Sequence, residues 1–480
     1  MTTNLNNRVE QVAREDLVMF INAGLACTGQ KEFYDDAYGQ RVSIDFLHDY
    51  ILGNYRLLYA RTLAAGINHF NQAQIILKLL ATGKDCVEHR QEEGALIAAA
   101  LRQLPPQRAW KVLEQCKRLR INNRRSRAIA RDYLEQRQNL SFDAVKYRGK
   151  VRAIACHAHL KLQGELGTFL FESWKQRCFS TPLFEQFRQA HYSADAVYSL
   201  PFTIAEGLAA KHNIPRDVFL SRIQEKMTLT EKLRFQGAAA TEKVDIDLDL
   251  SRLSLTRLAL YILSLSVETR QKDWHVLNQA LEKSSRSALK KAPLKLGRVA
   301  AVLDCSYSSS GSTEKRRRPL AVAFATHYLL KAASKDYRAF WTVPVEDTLL
   351  VRPYGQTNLA TPLLAALASD PELVVIVSDG CDNDPPNGSA EILRVFRSKL
   401  DPNRRTSIVH CNPVFNSEDF SLRPLSPYVP TVGLRDAEDL PTMLGFARFA
   451  DGSAPLAELE AYLAERVQLM LGDMINGTKN

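Results

Sequence analysis

The chain has 480 residues, 45% of them hydrophobic and 24% charged, an ordinary balance for a globular protein. No run approaches the ~20 apolar residues that a membrane span needs. Single cores stop growing beyond ~250–300 residues, so two or three domains are expected, and the net charge of +10 directs attention to an anionic partner.

The opening stretch, MTTNLNNRVEQVARED, is polar and has no apolar signal-peptide core. The eight cysteines, at 27, 86, 116, 156, 178, 305, 381 and 411, form no C-x-x-C pair and no zinc spacing. They lie in apolar segments, as in reduced intracellular proteins. A cytoplasmic protein is the expectation.

From about residue 8 to 288 the pattern is helical nearly throughout. Apolar residues recur at three- and four-residue spacing in 51–63, 67–80, 95–104 and 109–119. Breaks fall at Thr82-Gly83, Pro105-Pro106, Asn122-Asn123, Asn139-Leu140-Ser141, Pro201 and Pro215. Short helices joined by short turns, with no alternating strand, predict an α-solenoid of packed helix pairs, HEAT-like but without a strict repeat period.

The most basic stretch lies inside this helical part. Lys117, Arg118, Arg120, Arg124, Arg125, Arg127, Arg131, Arg137, Lys146, Arg148, Lys150 and Arg152 face only Glu114, Asp132, Glu135 and Asp143. So one-sided a run does not fit a face laced with ion pairs; it fits a surface that neutralises phosphates. Tyr133, Tyr147, His157 and His159 add groups that stack on or hydrogen-bond to unpaired bases. The two histidines, at i and i+2, point to different sides of a helix, which argues against zinc.

From about Lys295 the pattern changes to alternating strands and helices. Strands are expected at 299–303, 339–343, 348–351, 373–377 and 407–410, and helices at 320–333, 363–368, 390–400 and 455–474. That alternation predicts a doubly wound parallel sheet. The run 299–303 ends in Asp304, with Ser306 and Ser308 at alternate positions after it. One carboxylate and two hydroxyls at the carboxyl end of a parallel strand form a hard-oxygen cluster suited to Mg²⁺. Thr357, in GQTNLATPL, and Asp379, closing LVVIVSDG, complete the set.

Strand, D-x-S-x-S, a distant Thr and a later strand-end Asp resemble the metal-ion-dependent adhesion site (MIDAS) of von Willebrand factor A domains. Matched residue by residue, the metal ligands are Asp304, Ser306, Ser308, Thr357 and Asp379, with Mg²⁺ or Mn²⁺ as the implied ion. Family members usually carry Met or Gly after the last Ser, where this chain has Ser309-Ser310-Gly311. The helical part has its own likeness. SRAIARDYLEQ, FDAVKYRGKVRAIACHAHLK, DVFLSRIQEKMTLTEKLRFQGAAA and SLTRLALYILSLSVETR, in that order, resemble pieces of the TROVE module of the Ro RNA-binding autoantigen family. The resemblance implies a helical TROVE domain over 1–290, arranged as a ring, and a von Willebrand A domain over 291–480. It also implies small noncoding RNA on the outside and single-stranded 3′ ends of misfolded RNA in the central hole. By the match, Lys146, Arg148, Lys150, Arg152 and His159 line the RNA surface and Arg124, Arg125 and Arg127 adjoin it, binding rather than catalysing.

A different class of protein shares the metal pattern. Many bacterial adaptors join a helical part to an A domain and offer the open metal position to an acidic residue of a partner, often a AAA+ ATPase. Such an adaptor has no need of the basic run. Catalytic readings fare worse. Asp304 as a phosphoryl nucleophile lacks a second acid two residues on, where Ser306 stands. DGCDNDPPNG lacks the Gly and closing Glu of an EF-hand and is expected to be a solvated acidic loop. Cys305 and Cys381 are expected to be buried, inert thiols. Lys315-Arg316-Arg317-Arg318 is either a contact for RNA or an acidic partner, or the exposed start of a helix. No P-loop, dinucleotide fingerprint or nucleophile elbow is present.

Overall fold

The computed structural model describes residues 2–82, 87–241 and 248–477; Gly83 and Cys86 lie outside these. The chain forms two compact units. One comprises residues 1–72 and 250–470, the other 73–249 and 471–480.

The first unit is built on five strands: β1 (Leu296–Leu303), β2 (Ser334–Trp341), β3 (Leu373–Val377), β4 (Ser407–Asn412) and β5 (Thr431–Gly433). All pair in parallel, in the order β2-β1-β3-β4-β5. β1 and β3 are apolar runs buried on both faces, as the centre of a parallel sheet demands. Ala300, Val302, Val374, Ile376 and Ile408 share one face with Leu359, Leu363, Ala366 and Leu393 from the helices Ala360–Ala368 and Gly388–Val395. The helix Arg318–Ala333, buried along nearly its whole length, packs on β1 and β2 and carries Leu255–Ser264 and Trp274–Lys291 against it.

The N-terminal helix Thr2–Ala26 also belongs to this unit. Asn22 bonds β5 through both ends of its amide, accepting from Gly433 N at 3.0 Å and donating to Thr431 O at 3.3 Å. A side chain on Gly433 would collide with Asn22 O, so glycine is what lets helix and strand approach.

Several elements differ from the sequence expectation. The second strand begins at Ser334, directly after its helix, rather than at 339. It is an edge strand with half-exposed residues, so its pattern is weak. Residues 348–350 form a 3-10 turn, not a strand. There the carbonyls of Leu349 and Val351 accept from the buried Arg270 guanidinium (3.0 and 2.9 Å) instead of from a neighbouring strand. The three-residue β5 and the helix Leu440–Ala450 give no signal strong enough to be expected. The span 51–63 is cut at Tyr55, whose backbone leaves the helix as its hydroxyl donates to Asp16 at 2.9 Å.

The second unit is helical among its described residues, and its turns are where the sequence puts them. Pro105, Pro201 and Pro215 each stand at a helix N-cap. Asn123 and Ser126 form a reciprocal capping box that starts Arg124–Glu135. Pro106–Arg118 packs on Arg148–His157, and Val87–Gln103 on Arg124–Glu135. Trp110, Phe169, Phe184 and Phe202 are the largest side chains fully buried there.

Candidate metal centre and nucleic-acid surface

β1 and β3 are register-matched at their carboxyl ends, Leu303 opposite Val377. Asp304 and Asp379 therefore emerge side by side from adjacent strands, and Asp304 N still donates to Val377 O at 3.0 Å. Ser306 N donates to Asp304 Oδ1 (2.8 Å), Ser306 Oγ lies 3.2 Å from Ser308 Oγ, and Thr357 Oγ1 donates to Ser306 Oγ at 2.9 Å. Cys381 N donates to Asp379 Oδ1 at 2.9 Å. All five predicted oxygen donors are buried and converge. Ser309 braces the loop by donating to Ser306 O at 2.6 Å. Gly311 turns it at φ +67, where a side chain would strike the Lys315 carbonyl.

Two carboxylates without a cation are costly in such a place. Burial, reinforced by the Asp379 carboxylate, pushes Asp304 up to about 7, and burial pushes Asp379 up as well. Among the described residues no three His, Cys, Asp or Glu side chains cluster as a metal site, so any ion here depends on the hydroxyls. Two carboxylates and three hydroxyls fit a hard divalent cation, which would neutralise the pair and hold the oxygens in place.

Residues outside the predicted set also reach this site. Thr342, past the end of β2, donates to Asp304 Oδ1 at 3.2 Å and accepts from Cys305 N at 2.9 Å. Arg423 Nη1 donates to Cys381 Sγ at 2.9 Å. Tyr34, from the loop after the first helix, lines a small cavity with Asp379 and Cys381. None of these has a local sequence signal, since each arrives from a distant segment. Burial raises the Cys305 thiol and lifts Cys381 to about 12, as expected for inert cysteines. Asp382 is not simply solvated: it accepts from Leu359 N (3.3 Å) and Ser389 N (2.7 Å). Three of the basic tetrad are engaged within the unit, while Arg316 is exposed. Lys315 pairs with Glu32, Arg317 donates to Leu263 O, and Arg318 holds Arg435 O and Asp436.

On the helical unit the predicted cations divide into two groups. Arg125 pairs with the buried Glu93 (2.9 Å), Lys146 with Glu231 (3.4 Å) and Lys150 with Glu114 (2.6 Å). Arg148 is packed between the rings of Phe169 and Phe187 and donates to Phe169 O and Ser173 Oγ. Arg124, Arg127, Arg152 and His159 are exposed and make no ion pair with a described residue. Arg131 joins them. With Arg124 and Arg127 it stands at i, i+3 and i+7, one outward stripe of the helix Arg124–Glu135 whose opposite face is buried. Arg120, in the preceding turn, is likewise exposed. Of the groups expected to stack, Tyr133 is buried against Trp110 (5.0 Å, 81°), and His157 bonds Ile121 O at 3.0 Å. Exposed aromatics not singled out by sequence include Tyr192 and Trp174, the latter 75% accessible in the 3-10 turn Ser173–Lys175 that Arg148 ties to Arg148–His157.

No family model matches the sequence, and no curated protein does. Among solved structures, the chain is similar to the crystal structure of the Deinococcus radiodurans Ro (RSR) protein, with 14% identity and a TM-score of 0.49. The match covers 85% of this chain and 94% of that one. No helix among the described residues is long and apolar enough to cross a membrane.

Proposed function

We propose that this chain is a non-catalytic, cytoplasmic RNA-binding protein of the Ro type, taking small noncoding RNA or single-stranded RNA on its helical unit. In this reading that unit is a HEAT-like TROVE solenoid, and the sheet unit a doubly wound von Willebrand A domain holding Mg²⁺ at Asp304, Ser306, Ser308, Thr357 and Asp379.

The observation that carries the reading is the stripe of Arg124, Arg127 and Arg131, solvent-facing and without carboxylate partners among the described residues. Guanidinium groups in a row, unneutralised by the protein, raise the local positive potential, and a polyanion meets several of them at once. Arg152 extends the cationic surface on the neighbouring helix, and His159, exposed past the end of that helix, adds a hydrogen-bonding ring. Trp174 offers a flat face on which an unpaired base can stack. Phosphate contacts position the RNA, and stacking favours single strands over duplex.

A gel-shift titration with single-stranded and hairpin RNA across salt concentrations tests this. Binding that weakens steeply with salt, and is lost on reversing Arg124 and Arg127, supports it. No binding at low salt ends it.

A further inference from the structure

We propose that residues 27–36 form an intrachain cover over the metal site, with Tyr34 in the cavity beside Asp379 through which a carboxylate from another molecule would enter. This rests on the proposed metal reading. The segment follows the first helix and is tied down on both sides of the site. On one side, Ser312 Oγ donates to Lys31 O at 2.6 Å, Lys31 N donates to Glu314 Oε2 at 3.1 Å, and Lys315 pairs with the buried Glu32. These partners lie just beyond Ser308. On the other side, Asp35 accepts from Ser417 N at 2.8 Å, and Gln40 donates to Phe415 O at 2.8 Å.

Between those anchors the chain presents Phe33 and Tyr34. Phe33 meets the ring of Tyr307, the residue before Ser308, edge-on at 5.9 Å, and meets Tyr34 at 4.8 Å. Tyr34 lines a small cavity with Asp379, Cys381, Arg423, Glu32 and Asp35. Its ring remains 58% accessible, so it lies on the solvent side of ligands that are themselves buried.

A phenol hydroxyl at that position is neutral and polar, compatible with water on a bound cation and poor competition for the cation itself. Glu32 is paired with Lys315 and Arg423 lines the same cavity, so charge alone does not turn an acid away. The barrier is steric: an outside carboxylate must displace Tyr34. The site in this chain is one that holds an ion for itself rather than offering it to a partner, which separates it from adaptors that capture an acidic residue.

Mn²⁺ serves as the probe, followed by electron paramagnetic resonance and water-proton relaxation, with acetate as the outside carboxylate. The expected result is that Mn²⁺ binds the wild-type chain, that acetate hardly changes its relaxation, and that acetate competes with bound water once Tyr34→Ala is introduced. A cover closed in about ten molecules of eleven lowers the apparent acetate affinity about tenfold. Tyr34→Phe, which keeps the ring, should give a smaller gain. Equal acetate response in wild type and Tyr34→Ala overturns the cover while leaving the metal reading standing. If wild type and Asp304→Ala alike bind no Mn²⁺, the metal reading falls and the cover with it.

Discussion

Lys150 Nζ lies 2.6 Å from Glu114 Oε2, joining the helices Arg148–His157 and Pro106–Arg118 within one unit. A residue that sequence places on the RNA surface is thus already engaged, and the hydrogen bond from Lys150 holds Glu114 below the usual carboxylate range. The pair is partly exposed, so Lys150→Ala should cost no more than about 1 kcal/mol of stability. RNA affinity should change little. Arg124→Ala with Arg127→Ala should do the opposite: unchanged melting temperature and a salt dependence shallower by about 1.4 in log–log slope, from two phosphate contacts on a single strand. Equal losses of affinity in both variants would contradict the division of the cations.

Trp174 has no ring or hydrogen-bond partner among the described residues. Trp174→Ala should leave the fold intact and weaken single-stranded RNA binding by about 1–3 kcal/mol. Trp174→Phe should recover most of it. Of the four tryptophans Trp110 is fully buried and Trp274 and Trp341 belong to the sheet unit, so RNA should quench fluorescence in the wild type and much less in Trp174→Ala. Undiminished affinity in Trp174→Ala would remove it from the surface.

At the proposed metal site, the two buried carboxylates disfavour the ion-free state. Asp304→Asn should raise the melting temperature in chelator and abolish the further rise that Mg²⁺ gives the wild type. At a hundred times its dissociation constant, a ligand adds about 2.7 kcal/mol. The same Mg²⁺-dependent rise in wild type and variant would place the ion elsewhere.

His327 is buried beside Tyr337, with Nδ1 3.0 Å from its hydroxyl. Burial, aided by Lys331, holds the ring down to about 4, against 6.5 when exposed. The unfolded chain therefore takes up a proton below pH 6.5 that the folded ring resists. Stability from this group is complete above pH 6.5 and declines as pH falls toward 4, by up to about 1.4 kcal/mol per pH unit. Replacing it by His327→Gln should flatten the wild-type loss of stability between pH 7 and pH 5. Parallel curves for the two proteins would show that other groups govern the acid limb.

The elements most legible in the sequence are those dictated by local chemistry. The run 373–377 is a strand with those bounds because five apolar residues between Glu372 and Ser378 have no other use than a doubly buried ladder. Pro105, Asn123, Pro201 and Pro215 end or begin helices because their dihedral and hydrogen-bonding limits act on their nearest neighbours. The five oxygen donors were legible too, since each stands at a strand end or in a short loop whose position follows from the strand before it. By contrast, β2 and the 3-10 turn at Thr348–Leu350 were misplaced, because an edge strand carries little hydrophobic pattern and the turn is fixed by Arg270.

The sequence by itself determined that a hard-oxygen cluster follows β1 and that cations crowd the stretch from Lys117 to Arg152, because both are matters of residue type and spacing. Only the tertiary structure decided which cations remain open, since Glu93, Glu114 and Glu231 come from helices outside the local run. It alone brought Phe33 to Tyr307 across more than two hundred and seventy residues. Contacts of that range arise from how helices and sheet bury their apolar faces, and no local pattern encodes them.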